Sequence, residues 1–254
     1  MRVEIQQLRF GYDAKRAERS VFRDLDLSIE SGSVHALLGP TGCGKSTLLR
    51  LIAGLEPVQG GSIRFVGPRL APHRTAVMFQ DPALVPSWTV GRNVGIGVEF
   101  DAARAPLYSK VTSFNVDRVG LRGLVRRLPY TLSRGEKAKA SIGRAMAYDA
   151  DVMLLDEPFT HLDVMTKRRL WAEFETHWQL EARTYLLVTH DIEEAVLLAD
   201  RVTVLSGASS TGPTRVVETI ELGLSRPRRS DRLAEPAYRA AIGRVWDALE
   251  LASS

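Results

Sequence analysis

The stretch GPTGCGKST, residues 39–47, constrains this chain more than any other. It fits the pattern G-x-x-x-x-G-K-[ST], a phosphate-binding (Walker A) loop. It follows an apolar run, VHALLG, and opens into KSTLLRLIAG, whose apolar residues recur at helical spacing and end on Gly54. A strand, a tight loop and a helix are the context this pattern needs. Glycines let backbone N–H groups curl around phosphate oxygens, and the helix N-terminus adds positive potential. The contacting positions are Gly39, Pro40, Thr41, Gly42, Cys43, Gly44, Lys45, Ser46 and Thr47. Lys45 adds a full charge, and Ser46 suits Mg²⁺. Cys43 fills a variable position, where bound nucleotide would shield its thiol.

The rest of the chain alternates in the same way. TAVMFQ, DVMLLDE, TYLLVTH and RVTVLSG read as buried strands, and VMTKRRLWAEFETHW and IEEAVLLAD as helices. Strand–helix alternation predicts a parallel sheet with helices on both faces, an α/β fold. The first ~30 residues and GSIRFVG look instead like antiparallel strands. Residues 81–144 hold few strand runs and many helix formers, which predicts an inserted helical subdomain. Residues 1–224 then form one domain. Residues 225–254 form a tail with a candidate helix, YRAAIGRVWDALEL.

Composition narrows the class. No apolar run approaches the ~20 residues that span a bilayer, and the start lacks the apolar core of a signal peptide. A single cysteine excludes an internal disulfide and suits the cytoplasm. The net charge of +4 is unevenly spread. One cationic cluster runs from Arg118 to Arg144, and another comprises Arg226, Arg228, Arg229 and Arg232. Nucleic acid, a solvated face and anionic headgroups are all readings of such clusters. No recognition motif or interleaved aromatics support the first, so no nucleic-acid partner is expected.

Two further motifs carry chemistry. DVMLLDE is a buried strand ending in Asp156 and Glu157. Asp156 suits Mg²⁺, and Glu157 suits activation of an attacking water. In LSRGEKAKA, Ser133 and Glu136 form a capping box at a helix start.

Taken together, these motifs resemble the ATP-binding cassette (ABC) ATPases, over nearly the whole chain up to about residue 222. The order matches: phosphate loop, a glutamine after a strand (Gln80), LSRGE in place of the common L-S-G-G-Q signature, LLDE, THLD, and LLVTH. The resemblance implies a P-loop NTPase with a RecA-like parallel sheet core, an N-terminal antiparallel β subdomain and the inserted α-helical subdomain. It implies that Tyr12 stacks on adenine and that Gln80 senses Mg²⁺ or water. Asp163 would lie on a loop crossing to a partner subunit, and His190 would contact the γ-phosphate and steady Glu157. It also implies a head-to-tail homodimer in which Ser133 and the Gly135 backbone reach the partner's ATP. The signature departs at two places. Arg134 replaces a glycine, and Glu136 replaces a glutamine. Arg134 balances Glu136, offers a cation to ATP, or crowds the interface.

The segment FQDPALVPSWTVGRNVGIGVEF resembles importer ATPases for nitrate, sulfonate and taurine-like solutes. This implies an ATP-hydrolysing importer subunit at the cytoplasmic face of the inner membrane. Its partners would be transmembrane permease subunits and, indirectly, an extracytoplasmic substrate-binding protein. Trp88, Val90 and Val94 would line a groove for a permease helix. The alternative is a soluble regulatory or nucleic-acid-associated cassette.

Overall fold

The computed structural model describes residues 1–12, 20–67, 73–181, 183–207 and 212–253. Two sheets sandwich one helix. The smaller sheet is antiparallel, in the order β2–β1–β4. Its strands are β1 (Arg2–Gly11), β2 (Ser20–Ile29) and β4 (Gly60–Val66). Alternation puts Val3, Ile5, Leu8 and Phe10 inward on β1, facing Phe22, Leu25, Leu27 and Ile29 from β2.

The larger sheet runs β5–β6–β7–β3–β8–β9. It contains β5 (Thr75–Met78), β6 (Val152–Asp156), β7 (Thr184–Val188), β3 (Val34–Leu38) and β8 (Arg201–Leu205), all parallel. β9 (Val216–Glu221) adds antiparallel to β8. Every residue of β3, β6 and β7 is buried, as continuous apolar runs between two covered faces require. Helix α1 (Lys45–Ile52) fills the space between the sheets, with Leu48, Leu49, Leu51 and Ile52 in the shared core.

The opposite face carries the other helices. α2 (Val90–Glu99), α3 (Tyr108–Arg118) and α4 (Arg134–Ala147) pack on one another as a helical lobe. At Gly95, a Cβ would come within 2.4 Å of the Thr112 hydroxyl, so α2 and α3 touch only because that side chain is missing. Val90 and Val94 are fully buried in the core of this lobe, so they do not line a surface groove. Trp88 is half-buried beneath the Arg92 guanidinium, 3.9 Å from its ring centroid. An i, i+4 apolar pair looks the same whether it faces a partner or a neighbouring helix, and here the neighbours are α3 and α4.

α5 (Val164–Glu181) and α6 (Ile192–Leu198) follow β6 and β7. The last helix, α7 (Pro236–Ser253), packs on α6, β8 and β9 and buries Tyr238, Ala241, Val245, Ala248 and Ala252. The chain between β9 and α7 is fastened by two arginines. Arg226 pairs with Glu175 and with Asp200 (2.9 Å), and Arg228, nearly fully buried, pairs with the same Asp200 oxygen at 3.0 Å. The tail is thereby continuous with the main core.

Candidate active site

Strand β3 lies between β7 and β8, with its α1 crossover facing the small sheet and α6 on the other face. Crevices form at the C-terminal ends of parallel strands at such positions. The loops after β3, β6 and β7 meet there.

The first is the 39–47 loop. Gly42 and Gly44 have φ of 82° and 95°, values that an L side chain resists. Gly44 caps α1, and a Cβ there would strike Val21 at 2.6 Å. Lys45 is buried, and its Nζ donates to the carbonyls of Gly39 (2.7 Å) and Pro40 (3.0 Å). It therefore spans the loop from inside. The Cys43 thiol is turned inward with no exposure and needs no nucleotide to shield it. Burial pushes this thiol up, against the pull of Lys45. Tyr12 stands at the mouth, its hydroxyl 2.9 Å from the Thr47 hydroxyl and its ring edge-on to Phe10.

The second loop begins with Asp156 and Glu157. Adjacent residues on a strand point to opposite sides, so these two acids share a cleft only if the chain turns between them. Glu157 makes that turn with φ 48°, and its N–H donates to Val188 O at 2.9 Å. Asp156 is buried and accepts a hydrogen bond from Ser46. Desolvation raises its carboxyl despite that bond. A Ser hydroxyl beside a desolvated carboxylate is a hard-oxygen pair, suited to Mg²⁺ when phosphates and water complete the shell. Among the described residues no set of three or more His, Cys, Asp and Glu gathers as a complete protein cage.

Glu157 is the point of convergence. The Thr160 hydroxyl donates to its Oε2 at 3.1 Å, Gln80 Nε2 at 3.3 Å, and His190 Nδ1 lies 3.3 Å from the same oxygen. Among the described residues Oε1 has no such partner, so one carboxylate oxygen is anchored and the other is left to accept a proton. Thr160 was not singled out from sequence. Its signal was its place three residues after Glu157, the reach of a turn. Arg144 was also missed as a positioning group. It donates to the carbonyls of Pro82 (2.7 Å) and Ala83 (2.9 Å), holding the loop that follows Gln80.

Ser133, Gly135 and Asp163 occupy other places. The capping box forms in full: Ser133 N–H donates to Glu136 Oε2 (2.7 Å), and Glu136 N–H donates to Ser133 Oγ (3.2 Å). The Ser133 N–H and hydroxyl hold the Glu136 carboxyl below the usual range. Glu136 is thus committed to its own helix and does not pair with Arg134. Arg134 is the first residue of α4, with no left-handed backbone, so the arginine imposes no strain where the common signature has glycine. It lines a hollow of about 380 Å³ with Gln80, Asp81, Pro82, Lys137 and His161. Gly135 faces the His161 carbonyl, 3.3 Å from where a Cβ would sit. Asp163 accepts from Thr166 N–H at 3.0 Å at the start of α5, which lowers its carboxyl.

The cradle, the acid pair and the glutamine and histidine around Glu157 are one assembly, and comparison with known proteins gives it a family. The ABC transporter family model matches residues 22–160. This chain belongs to that family. It is an ATP-binding, ATP-hydrolysing cassette. It is 37% identical over 235 residues to the aliphatic sulfonates import ATP-binding protein SsuB 2 of Burkholderia cenocepacia (strain HI2424), covering 92% of this chain and 83% of that one. It is 37% identical over 226 residues to the taurine import ATP-binding protein TauB of Escherichia coli (strain K12), covering 88% and 86%. In fold, the cassette is similar to the dimeric structure of the bacterial ABC transporter cassette MJ0796. The TM-score is 0.76 with 22% identity, covering 88% of this chain and all of that one.

Proposed function

We propose that this cassette is the ATP-hydrolysing subunit of an importer for a small solute of the sulfonate, taurine or nitrate kind. It works as a homodimer, bound peripherally through transmembrane permease subunits at the cytoplasmic face of the inner membrane. An extracytoplasmic binding protein delivers the solute. The likeness to two importers' ATP-binding proteins over about nine-tenths of the chain supports the transport role. Among the described residues no helix of the cassette is long and apolar enough to cross a membrane.

The observation that carries the catalytic reading is the divided Glu157 carboxylate. Oε2 is held by Thr160, Gln80 and His190, and Oε1 takes the proton of the attacking water. The loop N–H groups and Lys45 hold the phosphates, and Tyr12 meets the adenine. Ser46, Asp156 and Gln80 would hold Mg²⁺, which when bound neutralises phosphate charge. Ser133, Gly135 and Asp163 serve the site of the second copy.

The permease seat is a hollow of about 570 Å³ between β5, α2 and α4. Phe100, 74% exposed, stands at its rim beside Ile96 and Tyr148. Arg144 lines the same hollow and grips the loop after Gln80, so an occupant there can act on Glu157 through Arg144, that loop and Gln80. The test is co-expression with a permease of this importer class. Co-purification and solute-dependent ATPase in vesicles are the expected results. Failure to co-purify, with ATPase stimulated by DNA instead, overturns the importer reading.

A further inference from the structure

His190 is placed by very little that touches it directly. Its ring is 61% exposed, and among the described residues its polar partner is Glu157 Oε2. What fixes it is its neighbours in sequence. Asp191 N–H donates to the Thr189 hydroxyl at 3.1 Å, and Thr189 N–H reaches back to Leu37 O on β3 at 3.3 Å. Asp191 uses its two carboxylate oxygens differently. Oδ1 accepts from Glu194 N–H at 3.1 Å and caps α6. Oδ2 accepts from Lys167 Nζ at 2.5 Å. Lys167 also meets Glu194 Oε2 at 3.2 Å, deep in the core, where Glu194 is almost fully buried.

Lys167 belongs to α5, one turn after Asp163, whose carbonyl accepts its backbone N–H at 2.8 Å. Its side chain is 18% exposed and runs beside the Trp171 ring. One ammonium therefore joins the segment carrying Glu157, Thr160 and Asp163 to the segment carrying His190. We propose that Lys167 is a positioning residue, holding His190 against Glu157 by tying the start of α6 to the start of α5. This rests on the roles just proposed for Glu157 and His190. A displacement of the Asp163 segment then reaches His190 through a charged strut rather than through the exposed ring itself. Truncating one member of a buried charge cluster leaves its partners unpaired, so Asp191 is expected to shift when the ammonium is lost.

The experiment is steady-state ATPase on the full chain for wild type, K167M, K167R, D191N, E157Q, H190A and the K167M/H190A double. K167M is expected to lower kcat about tenfold, the scale of a small misplacement of a reacting group. KM for ATP should change by less than about twofold, since the phosphate loop is untouched. K167R restores the cation and should recover most of the rate. D191N keeps the capping oxygen but not the charge, and should fall with K167M. In the H190A background K167M should cost nothing further, because it acts through the missing ring. The imidazole NMR signal of His190, identified by its loss in H190A, should move in K167M and return in K167R. Equal losses from K167M with and without His190, a wild-type rate in K167M, or an unmoved imidazole signal each overturn the proposal. If K167M does not fold, D191N carries the same comparisons, with a wild-type rate again overturning it. An H190A or E157Q enzyme that turns over normally overturns the active-site reading instead, a different result from any Lys167 outcome.

Discussion

At the residue scale, Glu157 spends conformational energy to face the cleft. A left-handed backbone at a non-glycine residue costs on the order of 1–3 kcal/mol, and the Val188 carbonyl and three side-chain contacts hold it there. Glu157→Gln keeps the shape and most contacts but cannot take a proton. ATP binding should persist while kcat falls by about 10²-fold or more, as read by filter binding and phosphate release. Lys45→Ala should weaken ATP binding itself, measured by titration calorimetry, since it removes the charge nearest the phosphates. Tyr12→Ala should do less, up to about tenfold in Kd beyond lost contact area. A larger effect at Tyr12 than at Lys45 would misplace the adenine. The loop and the acid pair were legible because each needs particular residue types at fixed spacing. Thr160 and Arg144 were harder to read: the three-residue spacing of Thr160 from Glu157 permits a turn without requiring one, and Arg144 works through a crossing of α4 over the loop after Gln80, which spacing does not encode.

At the element scale, the strand runs and their helices were readable from apolar periodicity, as were the antiparallel pairings of the N-terminal sheet. The helical lobe was readable only as a region. α2 shows why: Val90 and Val94 share a helix face that could meet anything, and it meets α3 and α4. The surface proposed for a partner lies elsewhere, around Phe100. Phe100→Asp should leave ATP binding by the free cassette intact, because the ring is exposed and distant in sequence from the phosphate loop. It should abolish permease co-purification, since a charge replaces the exposed apolar ring at the rim of the hollow. Undiminished capture of permease would remove the hollow from the interface. The capping box belongs to this scale too. Ser133→Ala removes the acceptor of Glu136 N–H and should lower thermal stability by about 1 kcal/mol, read by a melt.

At the scale of the whole molecule, buried titratable groups couple stability to pH. His35 donates to or accepts from the Thr203 hydroxyl at 2.7 Å, and His177 meets the Tyr185 hydroxyl at 2.6 Å. Desolvation lowers both from 6.5 to about 4. The unfolded chain therefore binds more protons than the folded one between those values, and stability falls as pH drops from 6.5 toward 4. Burial raises Glu194 from 4.5 to about 7, which acts in the opposite sense over nearly the same range. Two histidines outweigh one glutamate, so urea midpoints should decline from pH 7 to pH 5. His177→Gln should flatten that decline. A midpoint that rises on acidification would refute the assignment. None of this was legible in the sequence, where a histidine in a strand and one in a helix carry no mark of their burial.

Met1 and Ala252 lie toward opposite ends of the larger sheet's strands. The Met1 carbonyl accepts from Thr184, where β7 begins, away from the cleft at the strand's other end. The Ala252 carbonyl accepts from Gly207 N–H at 3.4 Å, and Gly207 lies against Pro40 of the phosphate loop. An affinity tag, fluorophore or fusion partner placed after the final helix thus emerges beside the nucleotide cradle. The same label placed before Met1 is set apart from it by the length of a strand, which makes the N-terminus the end to use for capture or imaging of the active cassette.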